Sequence, residues 1–374
     1  MESHTKSQTT HTDGGIALPD DLILEIVSWM PTKSVCRFRS CSKFIKEFTD
    51  EAYFAKKHSK NSMLKGDSCI LAQKKIHGFF QYCKTETEIH ALSGDHESSC
   101  GTVPSTFLDF LDKNRVMIVA SSNGLLLLQE MDDEIDVEFA FECDVDVEDY
   151  RLLAIQYRKR TSPRSEYKIY LPKEGVWKSG QGHIVPHRPC VPVFCKGAFH
   201  FLSLGNIFPK DPIILSYNLE SDLVRRLNLP EEALIISGIK CFQMDIFKWG
   251  KIGSSDESIC LVKLVDDTVF TIWVLTKHES SYSWSKFLII TLQEMGLIKE
   301  EEEPEIVVSK YMVVNGNSLV FATTRYVYRY DFIGERKTKA EKICDHGYLW
   351  TSFFTSYSQT LRSCGPGAIS LDSF

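Results

Sequence analysis

The chain has 374 residues, of which 43% are hydrophobic and 25% are charged, and its formal net charge is -7 at pH 7. This composition is that of a globular protein with a real core, and it excludes a disordered or fibrous chain. An acidic chain lacks the basic face that phosphate contacts require, so we expect no nucleic-acid partner. No run approaches the ~18 apolar residues of a membrane span, so we expect no membrane partner.

The 12 cysteines are spread along the chain and form no Cys-x-x-Cys pair. The histidines His183 and His187 lie in a Gly- and Pro-rich segment without cysteine or carboxylate partners at a metal-binding spacing. The sequence therefore predicts neither a metal site nor a cofactor. Dispersed cysteines and a polar first stretch without a signal-peptide core fit a reducing compartment, and we expect the protein in the cytoplasm, the nucleus or both.

Residues 1–15 are polar and predict a disordered tail, whereas residues 16–60 have a helical pattern. Pro19 suits the first turn of a helix, and Pro31 disfavours helix at the residue before it. Between them, apolar residues recur at spacings of three and four, as on one face of a helix: Leu22, Ile23, Ile26, Val27 and Met30. Similar stripes follow, so we predict a unit of three or four helices. A unit this small is marginally stable alone and is expected to need a partner.

Beyond about residue 66 the pattern changes to short β runs that are separated by Gly, Asn, Asp, Ser and Pro. No helical segments alternate with these runs, which excludes Rossmann and TIM-barrel architectures. A Gly or Asn followed by a hydrophobic strand recurs in SSNGLLLL, CKGAFHFL and VNGNSLVFA. Such a repeat favours a β-propeller over a large sandwich. The predicted fold is thus α+β and multidomain, with a small all-α domain before a large all-β propeller.

The segment LPDDLILEIVSWMPTKSVCRFRSCSKFIKEFTDEAYFAKKH, residues 18–58, resembles the F-box of plant F-box proteins. The resemblance implies docking on a Skp-type adaptor, which bridges to a cullin scaffold. Carried over by position, the adaptor-binding residues are Leu18, Pro19, Leu22, Ile26, Met30, Pro31, Val35 and Phe38.

Two positions depart from the pattern of that family. Ile45 stands where the family usually has a tryptophan, and Trp29 stands where it commonly has a basic surface residue. Trp29 has two interpretations: extra core or a lid on the linker, or an added contact with the adaptor.

The rest of the chain is similar to the F-box-associated, kelch-like domain of plant F-box proteins. The similarity rests on the order and spacing of SSNGLLLL, CKGAFHFLSL, ILSYNLESDLVRRLNLP, FTIWVLTKHESSYSWSKF and VYRYDF. The expected domains are an F-box at 16–60, a linker with the first β strands at 61–115, the F-box-associated domain at 116–356, and a C-terminal tail at 357–374.

An acidic stretch from Glu130 to Asp149 contains eleven carboxylates and no basic residue. Apolar residues occupy every odd position from Ile135 to Val147, so a strand here would have one buried side and one negative side. The carboxylates could pair with the basic segment 151–188, protect an edge strand from aggregation, or bind a basic target. The residues of the last interpretation are Asp136, Glu138, Glu142 and Asp144.

The resemblance implies a non-catalytic substrate-recognition subunit of a Skp–cullin–F-box ubiquitin ligase, which holds an unknown protein target. One alternative is an adaptor-binding protein that acts outside ubiquitination. The other is a kelch-type propeller enzyme, which would need metal ligands clustered near the propeller axis.

Overall fold

A computed structural model of the chain describes residues 18–66, 69–77, 83–92, 116–130, 136–143, 150–157, 166–171, 174–179, 191–203, 212–234, 242–250, 257–278, 281–297, 306–332, 339–345 and 353–361. The expected disordered tail, residues 1–15, lies outside this part of the chain.

Four helices open the described chain, as the sequence predicts: α1 (Asp20–Ser28), α2 (Thr32–Cys41), α3 (Lys43–Thr49) and α4 (Ala52–Lys65). Pro19 and Pro31 stand at the N-caps of α1 and α2, where the missing proline N–H costs no helical hydrogen bond. The Ser42 hydroxyl caps α3 by accepting from the Ile45 amide at 3.3 Å. Gly66 ends α4 with a φ of +83°, a conformation that glycine adopts without strain.

The helices enclose a small core of Val27, Val35, Ile45 and Phe54. Ile45 is 5% exposed, so the smaller side chain at the tryptophan position still fills this core. Leu361, near the other end of the chain, also packs against the core.

The remaining elements are strands, apart from the short helix α5 (Glu231–Leu234). The strands are β1 (Cys69–His77), β2 (Cys83–Ala91), β3 (Val116–Ser122), β4 (Leu125–Glu130), β5 (Asp136–Cys143), β6 (Tyr150–Tyr157), β7 (Glu166–Leu171), β8 (Val176–Ser179), β9 (Val193–Cys195), β10 (Ala198–Ser203), β11 (Ile213–Asn218), β12 (Leu223–Asn228), β13 (Phe242–Trp249), β14 (Ser258–Val265), β15 (Val269–His278), β16 (Ser281–Thr291), β17 (Lys310–Val314), β18 (Ser318–Ala322), β19 (Tyr326–Asp331), β20 (Glu341–Asp345) and β21 (Phe353–Tyr357).

Four antiparallel four-stranded sheets follow chain order: β5–β8, β9–β12, β13–β16 and β17–β20. This is the blade arrangement of a propeller, and it confirms the predicted fold class of a helical N-terminal unit followed by an all-β propeller. Apolar clusters fill the spaces between successive sheets; one of them joins Phe270 and Ile272 of β15 to Leu319 and Phe321 of β18. The core is therefore divided among the sheet interfaces.

Strands from both ends of the β region meet in one further sheet, which has the order β2-β1-β21. Cys69 pairs with Tyr357 and Gln73 pairs with Phe353. Helix α4 continues past residue 60 to Lys65. The strands β1 and β2 lie within 61–115, where the first β strands are expected, and they form a sheet with β21.

The imidazole of His200, in β10, is buried in the β-propeller. Its Nε2 lies 3.4 Å from the Cys195 carbonyl oxygen, and its Nδ1 has no hydrogen-bond partner within the described chain. Burial outweighs that weak hydrogen bond and lowers the pKa of His200 to about 4. A histidine with a depressed pKa contributes stability that is complete above its unfolded pKa of about 6.5 and is lost as the pH falls through the folded value.

We expect the free energy of unfolding to fall between pH 6.5 and pH 4, with His200 accounting for about 2–3 kcal/mol of that loss. Urea unfolding of the wild type and His200→Gln at pH 7.5 and pH 4.5 measures this. His58→Gln reports the corresponding change in the helical unit, because burial also lowers the pKa of His58. A His200→Gln protein that loses as much stability in acid as the wild type would contradict the assignment.

Candidate functional site

Exposed apolar side chains lie along α1, and one more lies on α2. Leu18, Leu22, Ile26 and Phe38 are between 47% and 54% exposed. Leu18, Leu22 and Ile26 are spaced four residues apart, so they follow one side of the helix. Ile23 and Val27 point the other way and pack in or against the helical core. We call Leu18, Leu22, Ile26 and Phe38 the exposed helical face.

The prolines and Met30 lie near this face, but Val35 does not belong to it. Pro19 and Pro31 are exposed, and Met30 is half-buried against the helical core. Val35 is 0% exposed and packs inside that core, so the structure corrects its assignment as a contact residue. It supports α2 from within the core, whereas Phe38 on the same helix is 47% exposed.

Trp29 is 39% exposed, so it is not part of the core. It follows Ile26 by three residues and Leu22 by seven, which extends the exposed helical face toward the end of α1. Its Nε1 donates to Glu25 Oε1 at 2.9 Å, and the Lys65 ammonium lies 5.7 Å from its ring centroid. These contacts orient the ring while one side stays open to a partner.

The acidic stretch forms strand β5, which pairs with β6 so that Glu142 lies opposite Arg151. Its described side chains are covered on both sides, contrary to the expected division into one buried and one negative side. Ala140 packs toward the sheet β9–β12, and Phe139 and Phe141 pack in a second cluster with Leu127. A blade lies between two neighbours, so both of its faces are buried. The side chains of Asp136 and Glu138, and all of Asp144, lie outside the described part.

Glu142 forms an ion pair inside the propeller and is not on a negative surface. The Lys248 ammonium is 3.2 Å from Glu142 Oε1 and 3.3 Å from Glu257 Oε1. The three side chains are 21%, 13% and 12% exposed, in the order Lys248, Glu142, Glu257. Burial alone would lower the pKa of Lys248, but the two carboxylates outweigh it and raise that pKa. The structure therefore does not support Glu142 as a target-binding residue.

A cation from outside the basic segment 151–188 neutralises Glu142. Arg151, its partner in the strand register, has its guanidinium 5.2 Å from the ring centroid of Phe194. The cation that neutralises Glu142 comes from β13, 106 residues away in sequence. The sequence offered no signal for this pair because neither residue belongs to a recognisable motif.

A cavity of about 180 Å³ lies beside this ion pair. Its walls come from β3, β5, β9, β13, β17 and β21 or from the residues next to them. Met63 and Gly66, at the end of α4, also line it, so the helical unit covers this end of the propeller axis.

We call the end of the propeller away from this cavity the distal end. The direction of the strands shows which turns lie there. Strand β13 ends at the cavity with Lys248, and its first residue Phe242 pairs with Val265 at the far end of β14. Likewise β17 ends at the cavity with Val314, and Lys310 pairs with Ala322 at the other end. The turns at 266–268 and 323–325 therefore belong to the distal end.

Within the described ranges, no group of three or more His, Cys, Asp or Glu side chains could hold a metal ion. His183 and His187 lie outside those ranges. None of the described helices is long and apolar enough to cross a membrane.

Comparison with known protein families and structures agrees with both parts of the molecule. Residues 16–57 match the F-box domain, and residues 127–364 match the F-box associated beta propeller domain. An F-box/kelch-repeat protein of Arabidopsis thaliana is 22% identical over 303 residues, which cover 73% of this chain and 79% of that protein. A second Arabidopsis thaliana protein, whose name places it among F-box proteins, is 24% identical over 299 residues, covering 74% of this chain and 79% of that protein.

Among solved structures, TolB from Acinetobacter baumannii is similar with a TM-score of 0.31 and 11% identity, over 80% of this chain and 72% of that one. A likeness this slight has no bearing on function. The two domain matches cover the helical unit and most of the propeller, and they confirm the resemblance that the sequence motifs indicate. The chain belongs to the family of F-box proteins that carry an F-box-associated β-propeller domain.

Proposed function

We propose that this chain is the substrate-recognition subunit of a Skp–cullin–F-box ubiquitin ligase. The observation that carries the proposal is the exposed helical face, four large apolar side chains left uncovered on a helical unit with a very small core. An exposed apolar face on a small domain marks a protein-binding surface. F-box domains in general bind a Skp1-type adaptor, and in this proposal the exposed helical face makes that contact.

The adaptor contact, as we propose it, comprises the exposed helical face together with Pro19, Met30 and Pro31. Trp29 extends it, because aromatic side chains oriented by hydrogen bonds lose little conformational freedom on binding. Val35 acts only from within the core.

The target is held, in this proposal, at the distal end of the propeller. Met63 and Gly66 of the helical unit line the cavity at the other end of the axis, so we place target binding at the end away from the helices. Loops positioned by a rigid scaffold commonly carry recognition, because they tolerate sequence change that the strands do not. Asp136 opens β5 and pairs with Tyr157 at that end, and Glu138 follows two residues later, so both remain candidates for contact with a basic target. Asp144 follows the opposite end of β5.

The proposed mechanism is proximity without catalysis by this chain. Holding a target lysine near the charged ubiquitin carrier converts a bimolecular encounter into a local one and raises the effective concentration.

The test is affinity purification of the tagged full chain from cells, beside a Leu22→Asp/Ile26→Asp variant. We expect adaptor and cullin with the wild type, both lost in the variant, and targets retained by both proteins. Adaptor without cullin would contradict the ligase assignment and support action outside ubiquitination. Stoichiometric metal in the pure protein would instead support a propeller enzyme.

A further inference from the structure

The last described residues form a connection between the propeller and the helical unit. Strand β21 ends at Tyr357, and residues 358–361, which we call the C-terminal strap, continue to the helices. The Thr32 hydroxyl, at the start of α2, donates to the Gln359 carbonyl oxygen at 2.9 Å. Leu361 then packs against the core that contains Val27 and Val35. Residues 358–361, the first part of the segment expected to be a tail, therefore contact the helical unit.

Three of these four residues, Ser358, Gln359 and Thr360, contact the propeller. Ser358 is only 4% exposed, and the Gln359 side-chain amide lies 3.4 Å from Cys69 Sγ at the start of β1. Gly124, in the turn between β3 and β4, has a φ of +80°. A Cβ there would overlap the Thr360 hydroxyl and lie 3.1 Å from the Ser358 carbonyl oxygen. The strap thus fits closely into the propeller before it reaches the helices.

A second connection lies at the end of α4. Gly66 approaches the turn between β17 and β18 so closely that a Cβ on it would lie 2.8 Å from Asn315 Cγ. One connection would leave the helical unit able to pivot, which is the default for neighbouring domains with a small interface. Two connections, from α4 and from the strap, restrict that pivoting.

We propose that the C-terminal strap fixes the orientation of the exposed helical face relative to the propeller, with Leu361 as a positioning residue. Leu361 packs against the helical core, which contains Val27 of α1 and against which Ile23 of α1 also packs. Leu22 and Ile26, the next residues on the same helix, point outward and form the exposed helical face. Leu361 therefore holds the helix that presents the docking face, while the rest of the strap holds the sheet formed by β1, β2 and β21.

The effect on the geometry of the ligase rests on the proposed function. The attachment of the helical unit to the propeller through the strap does not depend on that function. A strap that fixes orientation keeps the distal end, and a target bound there, at a constant position relative to the adaptor. Loss of the strap would leave the adaptor contact itself in place and widen the distribution of target positions, which lowers the effective concentration at the charged carrier.

Hydrogen exchange and small-angle X-ray scattering on the isolated chain test the inference without an adaptor. Two truncations are compared: one ends at Leu361, and the other ends at Ser358 and so lacks Gln359, Thr360 and Leu361. We expect the truncation at Leu361 to behave as the full chain does. In the truncation at Ser358, amides of α1 and α2 should exchange about tenfold faster, and the scattering curve should show a broader distribution of interdomain distances.

If the truncation at Ser358 does not fold, point variants of the full chain provide the test. Leu361→Ala should raise exchange in α1, and Thr32→Val should raise it at the start of α2. Leu223→Ala, an exposed leucine on β12, is the matched control and should leave exchange in the helices unchanged. Identical exchange and scattering for the two truncations, or for Leu361→Ala and the wild type, would overturn the inference whether or not the chain binds an adaptor.

Discussion

Replacing Leu22 and Ile26 together by aspartate is expected to abolish adaptor binding and leave the fold intact. Each side chain is about half exposed, so a bound partner would bury the apolar area that remains in contact with water. In the wild type this burial contributes favourable free energy to binding. The variant loses this contribution to the free energy of binding. It also places two carboxylates in an apolar contact, and their desolvation costs further free energy. Together these effects amount to about 4 kcal/mol or more, which is about a thousandfold in dissociation constant.

The measurement is calorimetric titration of purified Skp-type adaptor into each protein. Leu223→Asp is the matched control, since Leu223 is 53% exposed on the outer strand β12, and it should bind as the wild type does. Val35→Asp provides a contrast: the side chain is wholly buried, so a charge there should unfold the helical unit, which loss of helical circular dichroism would report. Full affinity in the double variant would refute the proposed docking face.

Replacing Lys248 by methionine is expected to destabilise the propeller strongly. The substitution leaves Glu142 and Glu257 close together inside the molecule without the cation that separates them. Breaking a buried ion pair by removing one partner costs about 3–5 kcal/mol because an uncompensated charge stays behind. For a domain of this size, that loss corresponds to a decrease in melting temperature on the order of 10 °C.

Two comparisons isolate the cause of this effect. Lys286→Met removes the partner of Glu232 at an exposed pair and should cost less than about 1 kcal/mol. The triple variant Lys248→Met/Glu142→Gln/Glu257→Gln removes both charges and should regain most of the stability. If Lys248→Met and Lys286→Met melt at the same temperature, the buried triad has no structural role.

The same triad predicts a dependence on alkaline pH. The pKa of Lys248 is raised in the folded chain, above its ordinary value of 10.5. A lysine with a raised pKa contributes stability that is complete below the unfolded pKa and is lost as the pH rises through the folded value. The difference in melting temperature between the wild type and Lys248→Met should therefore shrink above about pH 10.5.

The helical unit could be predicted from the sequence almost completely. The spacing of Leu22, Ile26 and their inward neighbours, with Pro19 and Pro31 as boundaries, specifies helices and their apolar sides. These signals are local: a helix is defined by residues three and four apart, which the sequence shows directly. Val35 was named as an adaptor contact because the resemblance to plant F-box proteins was carried over by position, whereas its side chain is buried in the helical core.

In the β region the sequence predicted the architecture but missed particular strands and pairings. Strand β13 carries Asp245 and Lys248 among its apolar residues, which weakens the local β pattern. The charge of Lys248 is stabilised by a distant partner, Glu142, which lies 106 residues earlier. Strand β21 is five residues long and becomes a strand by pairing with β1.

The sequence by itself determined the two-domain plan, the helices, most of the strands and the row of apolar residues on α1. Those features depend on contacts within one turn of helix or between alternate residues of a strand, so short segments encode them. The tertiary structure alone decided that Glu142 is neutralised inside the propeller, that β1 and β21 form one sheet, and that Leu361 completes the helical core. Each of these joins residues about a hundred or more positions apart, and such contacts depend on how the sheets pack around a common axis.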